Sequence, residues 1–270
     1  MDTDARRARF SELHARDGLF VMPNPWDVGS ARLLASLGFE ALATTSQGLA
    51  WSLGTLDQQV SRDELVAHVK VMSSATELPL NADSERCYPD DPGGIPETVA
   101  LLADAGAAGF SIEDYDPVAD RINEIGLSTE RVAIAAEANR RLPAQMVLTG
   151  RAENHIRGVD DLDDTIARLI AYRDAGADVV YAPGLSTIEQ IAAVVDAVAC
   201  PVNVLATART PAIAELAAAG VRRVSTGSVL ASRAYGALVS GATILRDEGT
   251  STYAAGGLGG DDAQRAFRAP

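Results

Sequence analysis

Two carboxylates stand two residues apart in LPLNADSERCYPDDPGG (78–94), where Asp83 and Glu85 close an otherwise apolar run. On a β-strand that spacing puts both side chains on one face, where they repel unless a cation or a proton comes between them. Similar groups end other apolar runs: Glu113 and Asp114 in AGFSIED (108–114), Arg151 and Glu153 in QMVLTGRAEN (145–154), and Asn203 in CPVNVLA (200–206). TTSQGLAWSLGTLD (44–57) adds Ser46, Gln47, Gly48 and Asp57. Carboxylates gathered alone would raise one another's pKa, whereas a hard divalent cation, Mg²⁺ or else Mn²⁺, keeps them ionised and suits oxygen ligands. Any one of them could equally cap the helix that follows its strand. Three adjacent strands supplying acids together favours the cation.

Those residues need a frame. Short apolar runs at 19–23, 40–46, 78–83, 108–114, 145–151, 178–183, 200–206 and 221–227 read as strands. Between them lie Ala- and Leu-rich stretches of helical period, such as VGSARLLASLG (28–38) and TPAIAELAAAG (210–220), several ending in Gly before the next strand. Eight βα units with no compositional break predict one α/β domain, a (β/α)₈ barrel over 1–248, with a Gly-rich tail at 249–270 that is loose or engaged in subunit contacts. In such barrels function sits at the C-terminal strand ends, where these polar residues fall.

Composition sets outer bounds. The chain has 270 residues, 47% of them hydrophobic, enough for a sizeable core. A formal charge of −14 argues against nucleic acid and anionic membrane, both of which call for clustered Lys and Arg. No apolar run is long enough to span a membrane, and MDTDARRARFSELHARDG lacks the apolar centre of a signal peptide, so a cytoplasmic protein with a small-molecule substrate is expected. Cys87 and Cys200 provide neither a disulfide framework nor zinc spacing. Lys70, the sole lysine, falls mid-helix in SRDELVAHVKVMSSA, so a Schiff-base mechanism is disfavoured.

The chain resembles the isocitrate lyase and phosphoenolpyruvate mutase superfamily through NPWDVGSARLLASLGFEALATTS, LGTLD, NADSERCY, GFSIED, TGRAEN, GADVVYAPGL, PVNVLA and AELAAAGVRRVSTGS, in that order. The resemblance implies a Mg²⁺-dependent (β/α)₈ barrel with an exchanged last helix, a homodimer or homotetramer acting on short 2-keto or 2-hydroxy acids. It puts the metal motif on Asp83 and Glu85, with Glu in place of a second Asp, and further metal or metal-water partners on Glu113 and Asp57. It puts the substrate cradle on Ser46 to Gly48, with Gln47 interrupting the usual Ser-Gly pair, and the carboxylate clamp on Arg151. Glu153 and Asn203 are expected to face the substrate.

Departures from the family pattern narrow the chemistry. The lyases of isocitrate type carry KKCGH after the fourth strand, where YDPVADRINEIG here has no Cys, His or Lys. The mutases carry Lys and Asn in that loop, and Asn123 alone is present. Decarboxylation or retro-aldol cleavage of an oxaloacetate- or alkylmalate-like dicarboxylic acid, through an enolate, asks for few dedicated acids and bases. Hydrolysis of an oxaloacetate- or phosphonopyruvate-like substrate and mutase-type phosphonate chemistry are the alternatives. The proton donor is open among Tyr88, Tyr181, His155 and water, with His155 either bordering the mouth or on the surface. Cys87 is a packed thiol or a nucleophile. VSTGSVLA (224–231) is either a phosphate seat or an ordinary helix start. A degenerate barrel serving as a binding module is the non-enzymatic alternative, opposed by the intact acidic set and Arg151.

Overall fold

The computed structural model describes residues 2–268. Eight of its strands form one parallel sheet: β1 (Phe20–Met22), β2 (Leu42–Ala43), β3 (Leu80–Asp83), β4 (Gly109–Glu113), β7 (Val147–Arg151), β8 (Val179–Tyr181), β9 (Val202–Leu205) and β10 (Arg223–Ser225). Their spatial order is β1-β10-β9-β8-β7-β4-β3-β2. The two ends meet where Ala43 N donates to Pro23 O at 3.1 Å and Asn24 Nδ2 to Thr44 O at 2.7 Å, which brings the sheet round into the expected (β/α)₈ barrel. Between β4 and β7, β5 (Tyr115–Asp116) and β6 (Arg121–Ile122) pair antiparallel as a hairpin. The strands are shorter than the apolar runs of 78–83 and 108–114: β3 begins at Leu80, and β4 leaves out Ala108 and Asp114.

The helices are α1 (Thr3–Ala15), α2 (Val28–Ser36), α3 (Ser46–Ser52), α4 (Arg62–Ala75), α5 (Gly94–Asp104), α6 (Ile125–Arg140), α7 (Leu162–Asp174), α8 (Ile188–Val198), α9 (Ile213–Ala218), α10 (Val229–Glu248) and α11 (Gly260–Phe267). Local chemistry starts them. Asp27 and Ser30, Ser61 and Glu64, and Thr187 and Gln190 form reciprocal capping boxes that satisfy otherwise orphaned amides. Lys70 lies inside α4, away from any strand end, as expected.

The main core fills the shell between strands and helices, with Val69, Leu102, Phe110, Leu148, Leu169 and Ile191 fully buried. Beneath the barrel α1 packs Phe10 and His14 edge-on against Phe20, with Leu13 in the same buried cluster, closing the N-terminal end. The barrel interior itself is polar. Asn24, Thr44, Asn81, Ser111, Asn203, Arg223 and Ser225 surround a cavity of about 40 Å³ where barrels of this type usually pack branched apolar side chains.

Two features lie at the C-terminus. Gly249, at φ 66°, ends α10 in the left-handed region that costs glycine least. The tail beyond it is not wholly loose, because α11 packs on α2 and buries Ala266. Helix α10 buries only Ala231 and exposes Val229, Leu238, Val239 and Leu245. Among the described residues no helix is long and apolar enough to cross a membrane.

Candidate active site

Strand pairing assembles the polar cluster. In the ladder between β4 and β7, Glu113 lies opposite Arg151, and in the next ladder Arg151 lies opposite Tyr181. The Arg151 guanidinium therefore spans three carboxylates: Nε donates to Glu153 Oε1 at 2.5 Å, while Nη1 lies 3.3 Å from Glu113 Oε2 and 3.4 Å from Asp83 Oδ1. Its Cζ sits 5.3 Å from the centre of the Tyr181 ring. Among the described residues Nη2 has no hydrogen-bond partner, so the outward end of the fork remains available. The sequence suggested a clamp using the planar fork; the structure spends two of the three guanidinium nitrogens on carboxylates.

Asp83 is held from two sides. Its Oδ2 accepts from Ser46 N at 3.0 Å and its backbone N donates to Thr44 Oγ1 at 2.8 Å. Asp57 stands near it, with Oδ1 buried and unpartnered, and burial together with the Asp83 charge raises the Asp57 pKa. Glu85 is pushed up to about 8, first by burial and then by the charges of Asp83 and Asp57. Burial likewise drives the Glu113 carboxyl upward against the pull of Arg151. β3 ends at Asp83 and Glu85 follows it in left-handed backbone, so the two do not share a strand face as the spacing suggested; the Asp83 and Asp57 charges still raise Glu85, and Arg151 only partly offsets them. Among the described residues no three His, Cys, Asp or Glu side chains approach one point closely enough to hold a metal by themselves.

The loop after β3 carries unusual backbone. Glu85, Cys87 and Tyr88 take φ of 49°, 64° and 47°. Non-glycine residues pay roughly 1 kcal/mol or more each in that region, so the surrounding packing must impose it. Cys87 is fully buried and its thiol is pushed up to about 12, which leaves it an inert packed residue rather than a nucleophile. Tyr88 donates its hydroxyl to Val60 O at 3.1 Å, away from Arg151.

Other sequence candidates find different surroundings. Gln47 Oε1 accepts from Ser228 Oγ at 2.5 Å, and Gly48 N points at Thr45 Oγ1 at 3.4 Å. A side chain at Gly48 would come within 2.6 Å of Thr45 and 2.9 Å of Trp26, so glycine there permits close packing. Glu153 is fully buried, its two oxygens taken by Arg151 and by Arg157 Nε at 3.2 Å. Asn203 bridges Arg223 Nε and Ser225 Oγ, each at 2.9 Å. His155 is neither exposed nor free: its side chain is 5% exposed and its Nδ1 lies 3.1 Å from Asp160 Oδ1, while Nε2 is buried without a partner. The proposed phosphate seat is filled, because Asn24 Oδ1 accepts from Thr226 N at 2.8 Å and Gly227 N at 2.9 Å.

Asp114, adjacent to Glu113 in sequence, faces the opposite way. Its Oδ2 accepts from Tyr172 OH at 2.7 Å and Arg168 Nη1 at 3.2 Å, and its Oδ1 from Glu153 N at 2.9 Å. It braces the barrel wall and stays out of the mouth. One site neighbour escaped sequence reasoning altogether: Gln58, at φ 64°, donates Nε2 to Glu113 Oε1 at 3.0 Å and leaves its own Oε1 buried without a partner. No sequence signal distinguishes it from other polar loop residues. Across the mouth Arg157 lies 3.5 Å above the Tyr115 ring, tying the hairpin to the segment after β7.

A model of the phosphoenolpyruvate phosphomutase family matches residues 10–246. The chain belongs to this family. A solved structure of a candidate lyase/mutase from Burkholderia cenocepacia J2315 is 49% identical, with a TM-score of 0.95 over 99% of this chain and 98% of that one. Oxaloacetate decarboxylase from Paraburkholderia xenovorans (strain LB400) is 30% identical over 232 residues, 83% of this chain and 75% of its own length. A structure of oxaloacetate acetylhydrolase in complex with oxalate is 26% identical, with a TM-score of 0.86 over 98% of this chain and 95% of that one. The family places this chain among lyases and mutases of small carboxylic acids.

Proposed function

We propose that this family member is a divalent-metal-dependent lyase that breaks a C–C bond in a short 2-keto or 2-hydroxy dicarboxylic acid of the oxaloacetate or alkylmalate kind. The observation that carries the proposal is a contrast at the mouth. Asp57, Asp83, Glu85 and Glu113 crowd round Arg151, while the hairpin beside them (115–122) holds no Cys, His or Lys. Such a site is equipped to bind a cation and a carboxylate and poorly equipped to shuttle protons through that loop.

The residues suit Mg²⁺ or Mn²⁺ better than a softer ion. The donors are all oxygens, Asp57 Oδ1 is buried with nothing to bind, and the raised carboxyl pKa values mark acids in want of positive charge. Asp83 and Asp57 would hold the ion with Glu85 and Glu113 behind them. With no tight cluster of three acids, water or substrate oxygens would complete the shell, as Mg²⁺ prefers. When bound, the ion supplies electron withdrawal from the carbonyl next to the bond that breaks.

The chain's own residues do the rest. The free Nη2 of Arg151 would take a substrate carboxylate, with Glu153 and Glu113 fixing the guanidinium so that it pays little entropy on binding. In decarboxylation the bond to the departing carboxylate breaks, CO₂ leaves, and the electron pair stays on the neighbouring carbon as an enolate that takes up one proton. Of the candidate donors, Tyr181 lines the cavity beside Arg151, whereas Tyr88 and His155 are committed to Val60 and Asp160. Tyr181 is pushed up to about 12, chiefly by burial, so it stays protonated and able to donate.

A panel of oxaloacetate, alkylmalates, citramalate and phosphonopyruvate, assayed with Mg²⁺ and product analysis, tests this directly. Pyruvate with CO₂ from oxaloacetate, or one 2-keto acid with one simple carboxylic acid from an alkylmalate, supports the proposal. Oxalate with acetate would mark a hydrolase instead, and phosphonopyruvate turnover without C–C cleavage would overturn it.

A further inference from the structure

Arg223 is an anomaly in the barrel interior. It is 2% exposed and lies on β10 with its guanidinium directed among neutral partners: Nε donates to Asn203 Oδ1 at 2.9 Å, Nη2 to Thr149 Oγ1 at 3.0 Å, and Nη1 faces His14 Nε2 at 3.1 Å. The other arginines of the interior are matched. Arg168 meets Asp114 and Asp164, Arg62 meets Asp91, and Arg151 meets Asp83, Glu113 and Glu153. Among the described residues no carboxylate pairs with Arg223.

A buried charge without a counter-charge is costly, because the desolvation penalty of a single ion in a protein interior is several kcal/mol and neutral dipoles repay only part of it. His14 cannot be the counter-charge. Its Nδ1 lies 2.7 Å from Phe10 O and so carries the proton, which leaves Nε2 as a neutral acceptor. Burial depresses Arg223 itself to about 9, so the guanidinium stays charged near neutrality.

Space for a counter-ion lies alongside. Arg223 lines the cavity of about 40 Å³ together with Asn24, Asn81, Ser111, Asn203 and Ser225. That volume exceeds what one water needs and suits an ion of a few ångströms across. Three of the five N–H groups of Arg223 are spent on protein acceptors, which leaves two for a guest. Asp83 and Arg151 also reach this cavity and face each other at 3.4 Å, so Arg223 is the charged group of its wall with no opposite charge beside it.

We propose that the barrel interior beneath the candidate active site binds a small monovalent anion, a halide or a carboxylate group of similar size, against Arg223. The site adjoins the acidic cluster, since Asp83, Arg151 and Tyr181 line the same cavity, but anion binding there does not rest on the reaction proposed above. Its chemistry is shared by a free inorganic ion and by one end of a carboxylic-acid substrate that reaches down the barrel axis.

Thermal unfolding of the full-length protein in sodium chloride and in the sodium salt of HEPES at matched ionic strength reads binding, since that bulky sulfonate carries no carboxylate and is too large for the cavity. In chloride Tm is expected to climb by about 3 °C per tenfold increase once the site begins to fill, with no such climb in the sulfonate. Arg223→Met, which keeps bulk and removes charge, should lose the chloride dependence. Because that variant leaves a polar interior and could fail to fold, wild-type crystals soaked in bromide provide a second reading, with anomalous density expected in contact with the Arg223 guanidinium. Chloride that raises KM while leaving kcat unchanged would show that a substrate carboxylate shares the site; a Tm effect with KM unchanged would show a resident inorganic ion. Equal Tm in the two salts, chloride dependence that survives Arg223→Met, or bromide density absent from Arg223 would each overturn the proposal.

Discussion

Replacing Arg151 with Lys keeps the charge and removes the geometry, so it separates positioning from simple neutralisation. In the native site one planar group meets Glu153 at Nε and both Glu113 and Asp83 at Nη1, over distances of 2.5, 3.3 and 3.4 Å, and keeps Nη2 for a ligand. A single ammonium nitrogen cannot satisfy all of these at once. Glu113 is 4% exposed and Glu153 fully buried, so whichever carboxylate is left unmatched loses a charge-assisted bond worth about 1.5–3 kcal/mol. Loss of the proposed substrate contact at Nη2 comes on top. The expected cost is about 2–4 kcal/mol in transition-state stabilisation, a fall of roughly 30- to 800-fold in kcat/KM. The assay is C–C cleavage under Mg²⁺ on the best substrate of the panel, with urea unfolding of the same variant to confirm that it is folded. A fall of less than about threefold in a folded variant refutes the reasoning, since Arg151 would then act as a bulk positive charge.

Other expectations follow from the same contacts. Asp114→Ala should destabilise the fold by about 3–5 kcal/mol in urea unfolding, because it strips partners from Tyr172, Arg168 and Glu153 N; a loss under 1 kcal/mol would contradict the bracing role. Burial, aided by the Arg223 charge, depresses His14 to about 3, so the folded state refuses a proton that the unfolded chain accepts near pH 6.5. Its contribution is complete above that pH and is lost on acidification towards 3, about 2 kcal/mol at pH 5; the ring resonances of His14 should stay constant down to about pH 4, and titration near 6.5 would contradict this. The exposed Leu238, Val239 and Leu245 of α10 are proposed to pack on a second copy of the chain, and light scattering that finds only a 28.2 kDa species would count against it.

Much of the frame was legible because parallel barrel strands are buried on both sides and read as unbroken apolar runs. The strand-end acids were legible for the same reason, since charge at the end of such a run is conspicuous. What escaped was direction. Alternation along β4 sends Glu113 to the mouth and Asp114 to α7, a parity argument that the sequence contains but that reading both as one acidic pair passed over. The same alternation points Arg223 inward while Arg222 reaches the Arg16 and Gly18 carbonyls outside. Gln58 and the positive φ of Glu85, Cys87 and Tyr88 had no sequence signal, because tertiary packing imposes those conformations on residues that do not favour them. The tail misled through its glycines, which flank α11 and do not prevent it from docking on α2.

The proposal that a divalent ion at the acidic cluster drives C–C cleavage is tested most directly by stripping the protein with chelator and titrating Mg²⁺ back while following turnover of its substrate. Turnover should fall below detection and return with Mg²⁺ in the wild type, and should not return in a folded Asp83→Ala variant. Full turnover in excess chelator would contradict the account.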